Sequence, residues 1–137
     1  MNDAEYDAEF ARVKALRDRW HYRIVPPDWK VSWDFWREPL PTRADEEISS
    51  GRVAADCLAN WRYMAADIRI DLSHTRNLSA DELEEIVVHE YCHIFVNELR
   101  PAEWTQDRLD HEEHAVQTLT RRFLSLRDDL LPSEIGD

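Results

Sequence analysis

The stretch from Ile86 to Val96 constrains this chain most. Ile86, Val87, Val88, Tyr91, Ile94, Phe95 and Val96 make it apolar almost all round, the pattern of a buried helix. Set into it are His89, Glu90 and His93. Buried polar groups without partners cost several kcal/mol, so a fold that buries these three must bring something to them. On a helix, His89 and His93 share one face, a turn apart. Both imidazoles can then reach a single zinc ion at about 2.0–2.1 Å. Glu90 is rotated from His89 by roughly 100°, so it can reach a water beside such an ion but not the ion itself. His89-Glu90-x-x-His93 therefore supplies two metal ligands and a general base. The plainer alternative is a pair of histidines hydrogen-bonded inside a core.

A catalytic zinc site needs three protein ligands and an open position. A second polar concentration, Asp110-His111-Glu112-Glu113-His114, is the source of the third. It lies in a predicted last helix over about 103–130, whose apolar stripe is Leu109, Val116, Leu119, Phe123, Leu126 and Leu130. A helical hairpin with a short connection folds 109–118 back over 89–96. Glu112 falls nearer the centre of the apolar stripe and Glu113 on its shoulder; His111 and His114 are also within the cluster.

The remaining elements follow in order. Tyr6, Phe10, Val13, Leu16 and Trp20 recur at helical spacing, predicting a packing helix over 3–20 that ends before Pro26-Pro27. Trp29, Val31, Trp33 and Phe35 alternate with Lys30, Ser32 and Asp34, predicting a half-buried strand whose aromatics pack in the core. Pro39, Pro41 and the polar run to Gly51 predict a long loop that could border a cleft. Val53, Ala55, Cys57 and Ala59 alternate in a second strand. After a turn near Asn60-Trp61-Arg62, Met64, Ala66, Ile68, Ile70 and Leu72 alternate in a third. The expected fold is α+β: an N-terminal helix, a small, mostly antiparallel three-stranded sheet, and the metal helix packed on a long C-terminal helix in one domain, 1–137. The strand segment Asp67–Leu72, just before the metal helix, is expected to be an exposed edge that pairs with extended substrate. Ser79 and Glu82 have the form of a capping box that starts the metal helix, which runs to about Leu99 and stops at Pro101.

Composition narrows the function classes. A length of 137 residues with 43% hydrophobic content suits one domain with a real core. A formal net charge of −12 opposes binding to nucleic acid and to anionic membranes. No apolar run approaches a membrane span of ~20 residues, and the acidic start Met1-Asn2-Asp3-Ala4-Glu5 does not read as a signal peptide. Two cysteines, Cys57 and Cys92, do not make a disulfide framework, so a reduced, cytoplasmic setting is expected. Both are expected to be packing residues. Two glycines argue against a glycine-loop phosphate site.

The order of sheet, His-Glu-x-x-His helix and acidic second helix resembles the gluzincin metallopeptidases, the thermolysin-like class. Small phage-type and prophage-type members are the nearest in plan. Their second helix carries Glu-x-x-Val-x-x-Leu, matched here by Glu113, Val116 and Leu119. By motif the resemblance covers about 65–130. It implies Zn²⁺ held by His89, His93 and Glu113, and hydrolysis of a peptide or protein substrate by zinc-activated water with Glu90 as the base. In that pattern the residue four after the glutamate ligand is polar and supports a zinc histidine. Gln117 fits this for Glu113, whereas Val116 stands there for Glu112. Glu113 is therefore preferred, with Glu112 and then His111 or His114 as alternatives. The chain departs from the class in having Gln117 where many members have an acid. It also names no clear stabiliser of an oxyanion: Tyr63, Tyr91, His111 and His114 are candidates. The long histidine continuation of the metzincins is absent. A non-enzymatic acidic interaction protein, binding a basic partner or mimicking DNA around a structural zinc, is the alternative function.

Overall fold

The computed structural model describes residues 1–41, 54–97 and 106–127. Helix α1 (Asp3–Ile24) leads into strand β1 (Lys30–Trp36). The hairpin β2 (Ala55–Asn60) and β3 (Ala65–Asp71) follows, then a single-turn helix α2 (Leu72–Thr75). Helices α3 (Ala80–Asn97) and α4 (Gln106–Ser125) come last among the described residues. The N-terminal helix, the three-stranded sheet and the paired C-terminal helices all form as the sequence predicts. The expected extensions to Val53, to Leu99 and Pro101, and to 103 and 130 fall outside the described residues, as does most of the 39–51 loop.

The sheet is mixed. β3 is central, parallel to β1 and antiparallel to β2, in the order β1-β3-β2. Only the β2–β3 pair meets the expectation of antiparallel pairing. The expectation that Asp67–Leu72 is an edge is overturned: β3 is covered on both sides by strands. Its burial explains why. Ala66, Ile68 and Ile70 are buried on one phase and Arg69 and Asp71 on the other, as in a strand enclosed on both faces. Arg69 can be there because Asp56, its direct cross-strand partner, receives its guanidinium. β2, with Leu58 and Asn60 exposed, is a sheet edge among the described residues.

The hairpin turn spans Trp61–Met64 rather than 60–62. Asn60 Oδ1 accepts the Arg62 N–H at 3.0 Å, the local bond for which asparagine is favoured in turns. Met64 closes it at φ 48°.

α1 runs to Ile24, four residues beyond the expected 3–20 and still short of Pro26. Asn2 and Glu5 close a capping box at its start. Its buried Glu9 binds Arg12 and accepts the Thr75 hydroxyl at 2.7 Å, and Arg12 donates to the Thr75 and Leu78 carbonyls. That network fixes α2 and the lead into α3 against α1. α2 itself was not legible as a helix: Asp71 ends β3 and caps the turn by accepting the Ser73 N–H.

α3 begins at the foreseen capping box, Ser79 with Glu82, with bonds of 3.0 and 3.2 Å. Leu83, Val87, Val88 and Ile94 are wholly buried. Each contributes about 1.5–3 kcal/mol by burial, against a helix-propensity cost of at most about 0.7 kcal/mol per residue. Packing therefore dictates this helix. Tyr91 meets Trp33 of β1 edge-on at 5.5 Å, and Phe10 of α1 meets Phe35 at 4.6 Å. Both cysteines pack as expected without a disulfide: Cys92 is fully buried and Cys57 half-buried against the core. Among the described residues no helix is long and apolar enough to cross a membrane.

Candidate metal centre

α3 packs along α4, with Val116 of α4 fully buried in their seam. This register lays Glu112 and Glu113 over His93. Nε2 of His93 is 2.9 Å from Oε1 of Glu113, and Nε2 of His89 is 3.7 Å from Oε2 of the same residue. The two rings lie 5.0 Å apart at 73°. One ligand atom from each of His89, His93 and Glu113 falls within 4.8 Å of the others, the only such triad among the described residues. Donors held tetrahedrally around zinc at about 2.0–2.1 Å stand roughly 3.3 Å apart. Two imidazoles and one carboxylate at these separations fit that ion.

Glu112 takes a different place. Its carboxylate is 3.5 Å from Nδ1 of His93, the opposite ring nitrogen, and its side chain is 13% exposed against 59% for Glu113. A carboxylate on Nδ1 orients the ring and leaves Nε2 for a metal. Of the two glutamates only Glu113 reaches both histidines. His111 and His114 sit apart, exposed, beside Asp107 and Asp110 in another depression on α4.

The electrostatics of the metal-free centre follow from burial and charge. Burial, then the neighbouring His93, hold the His89 pKa below the usual histidine value; Glu113, a hydrogen bond with Gln117 and Glu85 oppose this less strongly. The contact with Gln117 is the one its position four residues after Glu113 suggested. For His93, burial also opposes the charge, but hydrogen bonds to Glu112 and Glu113 outweigh it and push the pKa up to about 10. Glu113 is held low, first by its hydrogen bond from His93. Glu90 is 6% exposed, and burial pushes its carboxyl up to about 7, aided by Asp56 and Glu113 and opposed by His93. No described residue hydrogen-bonds its carboxylate.

Glu90 and His89 open onto a groove of about 400 Å³. Ala54 and Ala55 at the start of β2 form one wall. Glu82, Glu85 and Ile86 of α3 form the other, and His74 and Leu78 lie at the end towards α2. Glu85 went unread in the sequence, although its place four residues before His89 on the same helical face is a signal that could have found it. His74 was not, since nothing in its spacing links it to the metal helix. Apart from His89 it is the lining side chain with an N–H to donate. The oxyanion candidates fare less well. Tyr91 is buried and donates to the Arg17 carbonyl at 3.3 Å, and Tyr63 lies in the turn at the far end of β2 from Ala54.

Comparison of the chain with protein-family models, with curated proteins and with solved structures gives no match.

Proposed function

We propose that this chain is a zinc metallopeptidase of the gluzincin type, acting on a peptide or protein substrate. The observation that carries this is the convergence of His89, His93 and Glu113 from two helices beside a groove that buried Glu90 lines. Bound there, zinc would supply a Lewis acid that polarises a carbonyl and makes water acidic near neutral pH.

The chain's own residues do the rest. Glu90 would take the proton of the attacking water and pass it to the departing amine, from its place on the groove one residue after His89. Its burial keeps that proton from bulk water. Glu112 holds the His93 ring and Gln117 the His89 ring, so that both point at the Glu113 carboxylate. The groove gives an extended peptide a place beside these groups, with an edge strand at its wall. Structural zinc is closed by four protein ligands; three donors converge here among the described residues, which favours the catalytic form.

The test is zinc content and turnover on the same sample. The expected result is one zinc per chain, and cleavage within a broad peptide library that a chelator abolishes and added zinc restores. Stoichiometric zinc with no cleavage anywhere in the library would favour the acidic interaction protein instead.

A further inference from the structure

The groove is acidic on one side in a way the peptidase chemistry does not require. Three carboxylates line it, those of Glu82, Glu85 and Glu90, and among the described residues no lysine or arginine does. The other acids of α3 are neutralised. Asp81 pairs with Arg127, and buried Glu84 with Arg127 and Arg19, while also accepting the Trp20 indole N–H at 2.9 Å. Glu82 and Glu85 are in no ion pair with a described residue. Glu82 accepts the Ser79 N–H at 3.0 Å, and Glu85 has only the Gln117 amide at 3.5 Å. Glu90, nine-tenths buried and without a hydrogen-bond partner among the described residues, lines the same groove. Glu82 and Glu85 therefore face the groove with no ion-pair partner among the described residues.

We propose that the groove selects a peptide carrying lysine or arginine two to three residues from the scissile bond, received by Glu85 and Glu82. The inference rests on the peptidase reading of the metal centre and adds a substrate class to it. Spacing sets the position. Glu85 and Glu82 precede His89 by four and seven residues, about 6 Å and 10 Å along a helix rising 1.5 Å per residue. For an extended peptide lying along α3 and advancing roughly 3.3 Å per residue, those carboxylates stand beside its second and third residues from the bond. Ile86 and Leu78 offer apolar surface to the methylene stem of a long basic side chain, and the small Ala54 and Ala55 leave it room. The head group then makes charge-assisted hydrogen bonds with carboxylates that form no ion pair with a described residue.

The experiment uses the zinc-loaded chain and an unstructured peptide in which each position flanking the cleaved bond is lysine, arginine, norleucine or glutamate in turn. Wild type is expected to cleave the lysine and arginine peptides about tenfold faster than the norleucine peptide at low salt, with the preference shrinking as ionic strength rises. Glu85→Lys should invert the order and favour glutamate. Zinc content and circular dichroism on the same samples check that the variant is folded and loaded. A second arm measures binding of the fluorescent lysine peptide to Glu90→Gln and to Glu90→Gln with Glu85→Lys. Cleavage independent of peptide charge in both proteins overturns the selectivity and leaves the peptidase reading standing. Binding that Glu85→Lys abolishes, with no cleavage by wild type, supports the selectivity and overturns the peptidase reading. Neither binding nor cleavage overturns both.

Discussion

Nε2 of His93 lies 2.9 Å from Oε1 of Glu113, close enough that in the metal-free protein the two share a proton that a metal must displace. His93 titrates at about 10 in that state, while burial and His93 keep His89 below the usual histidine value and Glu113 is already ionised. At pH 7.5 the uptake of zinc should therefore release about one proton, from His93, and the affinity should rise about tenfold per pH unit between pH 7 and 8. Calorimetric titration in buffers of different ionisation heat measures the proton directly. Zinc uptake with no proton released would show that His93 is not the residue displaced.

Glu113→Ala should lose zinc far more completely than Glu112→Ala. The first removes the carboxylate that reaches both histidines. The second removes an orienting contact on Nδ1 of His93, which is worth about 10–100-fold in affinity. Metal content after dialysis separates them. If Glu112→Ala empties the site and Glu113→Ala does not, their roles are exchanged.

Metal-free Glu90→Gln should be more stable than wild type at pH 8. Burial pushes the Glu90 carboxyl up to about 7 in the fold, against 4.5 for an ordinary glutamate. Because the folded value is raised, ionisation favours the unfolded chain, and the cost grows from pH 4.5 to 7 and is then constant. That difference is worth roughly 3 kcal/mol. Denaturant melts with chelator present should show the variant's advantage large at pH 8 and small at pH 5. An advantage equal at both pH values would mean that Glu90 is not held in a desolvated site.

Much of the site was legible because its groups are local in sequence. His89, Glu90 and His93 are fixed relative to one another by one helix, and Glu113 by its register with Val116 on the next. The roles of Glu112 and Glu113 depend on which side of the His93 ring α4 crosses, which helical periodicity does not set. The position of β3 was misread for a related reason. Its Arg69 and Asp71 look like a solvent face in an alternating pattern; Arg69 is buried against Asp56 of the neighbouring strand, and Asp71 turns back to cap α2 through Ser73. α2 and His74 left no signal, because one turn of helix has no periodicity to detect. The helix pair formed as its periodicity predicts, while the sequence carried nothing about the groove wall.

The Arg69–Asp56 pair makes a separate prediction about the sheet. Their side chains are 9% and 15% exposed, so removing Asp56 takes its carboxylate from a buried guanidinium. Asp56→Ala should cost about 3–5 kcal/mol and loosen β2, the wall of the groove. The measurement is a denaturation midpoint with amide exchange across 55–60. Loss below about 1 kcal/mol would assign the pair to the weak class of surface ion pairs.

The central claim is that Glu90 moves the proton in a hydrolysis supported by His89, His93 and Glu113. Zinc-loaded wild type and Glu90→Gln should be compared on one broad peptide library, with zinc content and melting temperature read on the same samples. Gln is nearly the size of Glu and leaves both histidines in place, but takes no proton at neutral pH. The account predicts equal zinc, no loss of stability and a fall in cleavage of roughly 10²–10⁴-fold. Cleavage by Glu90→Gln at the wild-type rate would contradict it.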